Sequence, residues 1–438
     1  PPGRSALGWR GVMSLKRPNP GGESCFAGFF LYTNKEKGCD FLSEKRNYRL
    51  FLFGFLAVDF IGMGVLSIQE IQSRIPDTVY VRAGQQEGLT ESLDIPLVTY
   101  PESIDVSERG SYQIPCSLLG MIPLKEVQVQ TVEDKWVSVC GASVGLYMET
   151  QGVLVVDTGE ITDVEGLVEN PAENIVKPGD YILEVNGTPI GGKKELIEKI
   201  QTSQGEAMDL LVKREGEEIP LSLEPVMTPE QDYKLGIWVR DNTQGIGTLT
   251  YVDQEGKFGA LGHGISDTDT GELLDVSQGE LYQAQILSVL KGTKGVPGEL
   301  SGYIEYEDSK KIGTIEKNTA LGIFGQLFPT ASLPEKKVEI GYKQEVKEGK
   351  AQLMTQLDGE VKAYDIEITE INQNQADTNK AFEIRVTDPE LLAKTGGIVQ
   401  GMSGSPILQG EKLIGAVTHV FVQDSSKGYG IFIENMLW

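Results

Sequence analysis

TGGIVQGMSGSPILQGEKLIGAVTHVFV, residues 395–422, places a glycine-serine turn between segments with the composition of buried strands. Gly401 and Gly404 permit a tight backbone conformation that directs N–H groups to one side of the turn. Ser403, between them, is therefore a candidate nucleophile, with the N–H groups of Gly401 and Ser403 as the expected oxyanion donors. The alternative interpretation is an ordinary glycine-serine turn between two strands.

The chain contains only two histidines, so any mechanism that requires an imidazole depends on His263 or His419. His263 lies between Gly262 and Gly264, where its ring could turn into a cleft and accept the proton of Ser403. His419 lies in an apolar strand after the nucleophile turn. We assign it, together with Thr418, to the wall of the substrate pocket, with a role as the base left as the weaker alternative.

A serine-histidine pair requires a third group that fixes the imidazole tautomer, and acidic residues are abundant. Asp388 precedes the nucleophile turn, whereas Asp267 and Asp269 follow His263 closely. Spacing alone does not choose among the three, because the members of a triad meet in space rather than in sequence.

Residues 235–438 contain many short apolar or alternating segments and almost no helical periodicity. Short strands repeated over about 200 residues are typical of an all-β barrel or a pair of barrels. We interpret this region as the serine peptidase domain.

Residues 136–226 resemble a bacterial PDZ domain. The sequence KPGDYILEVNGTPI at 177–190 predicts a turn, a strand and a hairpin, and helical spacing follows at 193–202. The resemblance implies a loop whose N–H groups bind the carboxylate of a peptide C-terminus. We place this loop at Val144, Gly145, Leu146, Tyr147 and Met148.

The region before residue 136 divides into three predicted parts. Residues 1–48 lack periodicity and are interpreted as a disordered segment or a mis-called start. Residues 49–68 are predicted to be a transmembrane anchor, because residues 50–68 form an apolar stretch with one charge, Asp59, that is long enough to cross a membrane. The basic residues before this stretch, up to Arg49, predict a cytoplasmic N-terminus. Residues 69–135 carry alternating segments that predict a small β-rich spacer domain.

Composition limits the classes of function. The chain has 438 residues, with 39 Lys and Arg against 64 Asp and Glu, and its net charge of −25 disfavours binding to nucleic acid. Its four cysteines form no metal-binding or disulfide-rich pattern, although a single Cys116–Cys140 disulfide stays possible. We expect no metal ion and no cofactor.

Taken together, these segments resemble the SpoIVB peptidase family, whose members are sporulation signalling serine peptidases with a PDZ domain. The resemblance rests on GALGHGISD (259–267), NTALGIFG (318–325), TGGIVQGMSGSPI (395–407) and GAVTHVFV (415–422). It implies a mainly β fold, in which a PDZ domain is followed by a chymotrypsin-like double β-barrel, with an N-terminal transmembrane helix. It also implies His263 as the base, Ser403 as the nucleophile and Asp388 as the acid.

The resemblance further implies a single-pass protein of the forespore membrane whose catalytic part lies in the intermembrane space. Its expected activity is to cleave itself and a regulatory membrane protein, and thereby to trigger sigma-factor processing in the mother cell. The expected partners are that substrate, which regulates an intramembrane protease, and a PDZ ligand peptide such as its own N-terminal region. The competing hypothesis is a non-catalytic PDZ adaptor on a β-barrel scaffold.

Overall fold

The computed structural model of this chain describes residues 40–82, 89–90, 93–101, 110–331, 336–373 and 379–437. Most of the predicted N-terminal segment, up to residue 39, lies outside these ranges. The chain divides into two compact units, Pro1–Ser67 and Ile68–Trp438.

One long helix, α1 (Asp40–Arg74), confirms the predicted apolar helix and extends beyond it at both ends. The segment Tyr48–Arg74 has a mean hydropathy of 2.1 over its most apolar window, and its large apolar side chains are exposed. The helix ends shortly before Pro76, because the residue before a proline avoids the α conformation. Its length and composition suit a membrane span or a signal sequence.

A small sheet follows within the predicted spacer region. It consists of β1 (Thr78–Arg82), β2 (Val98–Thr99), β3 (Ser111–Leu118) and β4 (Ile122–Val132), in the spatial order β1-β4-β3-β2. The alternation along β4 buries Val127 and Val129 completely. Cys116 lies in the core of this sheet, whereas Cys140 lies in a different core, so the two residues do not form the Cys116–Cys140 disulfide.

The rest of the chain is built almost entirely from strands, with two short helices, α2 (Lys193–Thr202) and α3 (Pro389–Thr395). In chain order these strands are β5 (Trp136–Val139), β6 (Ser143–Thr158), β7 (Ile161–Thr162), β8 (Val168–Glu169), β9 (Tyr181–Val185), β10 (Thr188–Pro189), β11 (Met208–Arg214), β12 (Glu217–Leu223), β13 (Val226–Met227), β14 (Tyr233–Lys234), β15 (Ile237–Val252), β16 (Lys257–Ala260), β17 (Val276–Leu290), β18 (Gly298–Ile304), β19 (Lys311–Thr319), β20 (Gly322–Leu327), β21 (Lys336–Ile340), β22 (Gly349–Gln356), β23 (Val361–Ile371), β24 (Phe382–Val386), β25 (Val399–Gln400), β26 (Pro406–Gln409), β27 (Lys412–Phe421) and β28 (Asp424–Phe432).

Two six-stranded sheets form the peptidase part. In the first sheet, β6, β15, β16, β20, β19 and β17 pair in that order, and β17 pairs back with β6. In the second sheet, β22, β23, β24, β28, β27 and β26 pair in that order, and β26 pairs back with β22. β21 pairs with β5 and with β27 and thereby connects the two sheets. The mainly β, protease-like fold expected from the sequence is confirmed.

The PDZ-like part is an insertion between two strands of the first sheet rather than a domain that precedes it. β6 and β15 are each 16 residues long, and their inner halves belong to the first sheet. Their outer halves contribute to a separate core formed with β9, β11, β12 and α2. Residues 136–150 therefore pack in the peptidase part, and the predicted boundary at residue 136 differs from the observed one.

The predicted PDZ carboxylate-binding loop is wrong, because residues 143–158 form the continuous strand β6. Residues 144–148 of β6 pair with β15 on one edge and with β17 on the other. Val144, Leu146 and Met148 are each 1% exposed in the core of the first sheet. A strand that is paired on both edges offers no free N–H groups to a peptide, so these residues do not form a carboxylate-binding loop.

Candidate active site

The candidate nucleophile Ser403 lies in a tight turn between β25 and β26. Gly401 and Gly404 have φ angles of +95° and +91°, a region that favours glycine. A Cβ atom on Gly404 would lie 2.2 Å from the carbonyl oxygen of Thr248 and 2.4 Å from the backbone nitrogen of Leu261. Only glycine therefore allows this turn to approach the first sheet so closely.

Two threonines of β15 hold the nucleophile turn. The N–H of Thr248 donates to the carbonyl of Ser403 at 3.0 Å, and its hydroxyl donates to the carbonyl of Gly401 at 2.9 Å. The hydroxyl of Thr250 donates to the carbonyl of Gly404 at 2.7 Å. Both threonines are completely buried. Neither threonine was predicted from the sequence to belong to the site, because threonine is common in strands and gives no local signal of a distant partner.

The candidate base His263 follows β16 through a left-handed turn, with φ angles of +66° at Leu261 and +70° at Gly262. The Nδ1 atom of His263 lies 2.8 Å from the carbonyl oxygen of Gly264. A carbonyl can only accept a hydrogen bond, so Nδ1 carries the proton and Nε2 is the free acceptor. Burial lowers the pKa of His263 below its usual value, and the Gly264 carbonyl partly opposes this shift. The imidazole is thus held neutral, as a general base requires.

The structure brings the nucleophile turn and the histidine turn together where the two sheets meet. The hydroxyl of Ser403 donates to the carbonyl of Thr418 at 2.9 Å. A Cβ atom on Gly262 would lie 3.0 Å from the side-chain methyl carbon of Thr418, and the rings of His263 and His419 have centroids 5.2 Å apart. Ser403 and His263 therefore border the same site, although the Ser403 hydroxyl is turned toward Thr418 in this conformation.

The expected oxyanion donors are unengaged. In the part of the chain that the structure describes, the backbone N–H groups of Gly401 and Ser403 donate to no other group. Neighbouring N–H groups are used, since Met402 donates to Val399 and Gly404 donates to Val417. Two unpaired donors beside a serine hydroxyl are what a developing oxyanion needs.

Thr418 and His419, which the sequence predicts to line the substrate pocket, lie beside the two turns, since the Thr418 carbonyl accepts from the Ser403 hydroxyl and the His419 ring lies next to that of His263. The Nδ1 atom of His419 is buried and has no hydrogen-bond partner among the residues that the structure describes. Burial is the main cause that lowers the pKa of His419 to about 4, followed by the nearby His263 and Lys380. His419 is therefore neutral at physiological pH and presents a polar edge to the site.

The structure does not bring Asp388 to His263. Asp388 is the N-cap of α3, and its Oδ1 accepts from the N–H groups of Glu390 at 2.8 Å and Leu391 at 3.0 Å. Its Oδ2 accepts from the N–H of Asp365 at 3.3 Å. Among the described residues, neither oxygen contacts His263, and the Gly264 carbonyl occupies the place expected for a triad acid.

The two other acidic candidates connect the histidine turn to the PDZ-like insertion. Asp267 has a completely buried side chain that pairs with Arg240 and accepts from the N–H groups of Asp269 at 2.9 Å and Thr270 at 3.0 Å. Asp269 pairs with the same arginine at 2.8 Å. Arg240 lies in the outer half of β15, so this ion pair fixes the segment after His263 against the insertion.

Asn318 holds the same segment from the other side. Its amide nitrogen donates to the carbonyls of Ile265 and Leu274, each at 2.8 Å, and its amide oxygen accepts from the N–H of Ile265 at 2.9 Å. A side chain that makes three hydrogen bonds to two backbone segments fixes their separation. Asn318 belongs to the segment 318–325 that carries the family resemblance, but its sequence context did not predict this role.

Comparisons with known proteins agree with this architecture. Residues 231–437 match the profile described as SpoIVB peptidase S55, and residues 165–214 match that of the PDZ domain. The PDZ domain of an SdrC-like protein from Listeria monocytogenes is 20% identical over 20% of this chain and 87% of that chain, with a TM-score of 0.17.

Two solved proteases are similar over larger parts of the chain. An inactive form of the Rv3671c protease from M. tuberculosis is 13% identical over 44% of this chain and 80% of that chain, with a TM-score of 0.26. The HtrA-type protease AlgW with a decapeptide is 11% identical over 68% of this chain and 62% of that chain, with a TM-score of 0.27. At these scores the description of the fold rests on the strand pairings themselves.

Proposed function

We propose that this protein is a membrane-anchored serine endopeptidase of sporulation signalling, because residues 231–437 match the profile described as SpoIVB peptidase S55. In this proposal Ser403 is the nucleophile and His263 is the general base. The single observation that carries it is the meeting of these two turns beside two unengaged N–H groups.

The reaction begins with a rotation of the Ser403 side chain. In the resting conformation its hydroxyl donates to the Thr418 carbonyl, so the hydroxyl must turn toward Nε2 of His263. His263 then takes the proton while the Ser403 oxygen attacks the scissile carbonyl carbon. The Gly264 carbonyl, which holds Nδ1–H, orients the imidazole and stabilises the imidazolium that forms.

The tetrahedral intermediate places a negative charge on the former carbonyl oxygen. The N–H groups of Gly401 and Ser403 donate to that oxygen, and the buried threonines of β15 keep both donors in place. The intermediate collapses when His263 gives its proton to the leaving amine and the acyl-enzyme forms. Water completes the cycle by the same steps in reverse order.

Thr418 and His419 form the wall of the substrate pocket in this proposal. β27 pairs with β28 along one edge through Phe421, whereas β26 covers the other edge only as far as Ala416. The edge beyond Thr418 has no strand partner among the described residues. The acyl side of a substrate can therefore add to this edge as an antiparallel strand.

The proposed membrane location and the proposed substrates rest on the family resemblance. In this proposal α1 anchors the protein to the forespore membrane with its catalytic part in the intermembrane space, where it cleaves itself and a regulatory membrane protein. The exposed apolar side chains of α1 support an anchor, and the PDZ match supports a peptide ligand. No residue set for that ligand is proposed.

A pair of serine variants in the same turn tests the enzyme against the non-catalytic adaptor. Ser403→Ala should abolish Ser-dependent hydrolysis of a fluorogenic peptide by the full chain. Ser405→Ala is the matched control, because Ser405 is completely buried and its hydroxyl has no hydrogen-bond partner in the described part of the chain. Equal activity of both variants would reject the role of Ser403, and inactivity of wild-type protein toward every peptide would favour the adaptor.

A further inference from the structure

A groove of about 560 Å³ opens beside the nucleophile turn, on the side of the oxyanion donors. Residues 244–246 of β15 form one side of it and residues 299–304 of β18 form the other. Gly401 lies at its end. The groove thus reaches to within two residues of Ser403, and neither Thr418 nor His419 is among the residues that line it.

The strand β18 offers an open edge to this groove. One edge of β18 pairs with β17 as far as Ile304. The other edge pairs with β25 only at Gly298 and Glu299, because the chain then turns at Gly401 toward the nucleophile. Among the described residues, no strand continues alongside residues 300–304. An extended peptide can pair with β18 along residues 300–304, beyond the point where β25 ends.

The groove is lined by polar groups together with the side chains of Leu300, Tyr303 and Tyr306. Leu300 is 3% exposed and forms part of the floor, whereas Tyr303 and Tyr306 are 40% and 47% exposed. Tyr306 is held in place because its hydroxyl donates to Gln244 at 2.6 Å and its ring lies 5.2 Å from that of Tyr282.

The charge of the groove is negative. Among the residues that line it, Glu299 is the only charged one, and the chain as a whole carries −25. An acidic side chain would therefore be repelled, whereas apolar and aromatic side chains would remove the tyrosine faces from water.

We infer that this groove binds the substrate residues on the C-terminal side of the scissile bond and selects apolar or aromatic residues there over acidic ones. The inference rests on the proposed function, because the acyl side of the substrate is assigned to the edge of β27. The peptide crosses Ser403 between these two surfaces, so its leaving side enters the groove between β15 and β18.

Acyl transfer measures binding in this groove directly. The full chain is acylated by a peptide ester, and an amino-acid amide then competes with water for the acyl-enzyme. The amine nitrogen attacks the acyl carbon, His263 takes a proton from the nitrogen and returns it to the Ser403 oxygen, and the acyl–oxygen bond breaks. The products are a new peptide bond and free enzyme. We expect phenylalanine amide to be captured roughly tenfold or more above aspartic acid amide.

Variants on one hairpin give the matched comparison. Tyr306→Ala should lower the capture of phenylalanine amide by about tenfold relative to hydrolysis, and Tyr306→Phe should lower it less because the ring remains. Leu287→Ala changes a side chain that is 69% exposed on the same hairpin and outside the groove, and it should leave the capture ratio unchanged. Equal capture of the two amides, or an unchanged ratio in Tyr306→Ala, would overturn the inference.

The same experiment separates this inference from the proposed function. Ester hydrolysis that persists in Ser403→Ala would refute the proposed function. Ester hydrolysis that depends on Ser403 but shows no selective capture of the aromatic amide would refute only the role of the groove.

Discussion

Asp388 has two possible roles that substitution can separate, and the structure supports only one of them. As the N-cap of α3 it accepts from the N–H groups of Glu390 and Leu391 through one oxygen. Asparagine keeps an oxygen in that place and caps helices about as well as aspartate, whereas alanine does not. We therefore expect Asp388→Asn to retain stability, and Asp388→Ala to lower the free energy of unfolding by about 1 kcal/mol.

The two roles of Asp388 predict very different values of kcat for the two variants, whereas the predicted stabilities differ little. If Asp388 only caps α3, both variants should keep kcat within a few-fold of the wild-type value for folded enzyme. If Asp388 is the acid of a triad, Asp388→Asn should lower kcat by about 10⁴-fold, because the histidine would then adopt the wrong tautomer.

Two assays on the same protein preparations settle the role of Asp388. Denaturant unfolding measures stability, and hydrolysis of a fluorogenic peptide at saturating concentration measures kcat. A loss of kcat by orders of magnitude in Asp388→Asn at unchanged unfolding free energy would refute the assignment as a cap alone. It would also show that active enzyme adopts a conformation in which Asp388 reaches His263.

Other predictions follow from burial and hydrogen bonding at particular residues. Because burial lowers the pKa of His263, the acidic limb of kcat/KM should have its midpoint below 6.5, and a midpoint above that value would contradict a buried base. Burial raises the pKa of Glu434 to about 7, so the folded state keeps a proton that the unfolded state loses above about pH 4.5. Stability from this group is present below that pH and is lost as pH rises toward 7. Between pH 5 and pH 8, the free energy of unfolding should therefore fall by about 3 kcal/mol more in the wild type than in Glu434→Gln. An equal fall in both proteins would argue against a buried neutral carboxyl. Thr250→Val should cost about 1–3 kcal/mol in denaturant unfolding, because a buried carbonyl loses its donor, and a neutral effect would mean that water replaces the hydroxyl. Asp267→Asn should destabilise the protein by about 2 kcal/mol and lower kcat more than it raises KM, since Arg240 loses its buried partner; unchanged kinetics would separate this ion pair from the histidine turn.

The sequence singled out Ser403 and His263 as candidates, and the structure places the turns that carry them close together. With only two imidazoles in the chain, a glycine-serine turn and a histidine between glycines left few possible pairings. Alternation of apolar residues also predicted the mainly β fold correctly, because a half-buried strand shows its period directly. The apolar helix before residue 75 was equally clear from hydropathy.

The sequence could not show which strands are neighbours. Residues 143–158 contain apolar alternation that suits a PDZ domain and a protease sheet equally well, and one strand serves both parts. The insertion between β6 and β15 follows from pairings over about a hundred residues, which local patterns do not specify. An aspartate followed by proline was also a visible helix N-cap signal at residue 388.

The threonine contacts to the nucleophile turn were hidden for a related reason. Thr248 and Thr250 look like ordinary strand residues, and their partners lie more than 150 residues away in the chain. Their role appears only when the first sheet meets the turn of the second.

The central claim is that the hydroxyl of Ser403 becomes a nucleophile because the neutral imidazole of His263 lies beside it. Fluorophosphonate labelling of the full chain, followed by peptide mapping, measures this reactivity at one atom. We predict a single label on Ser403 whose rate of formation falls by orders of magnitude in His263→Ala but not in Ser405→Ala. A label on another serine, or labelling of Ser403 at the same rate without His263, would contradict the account.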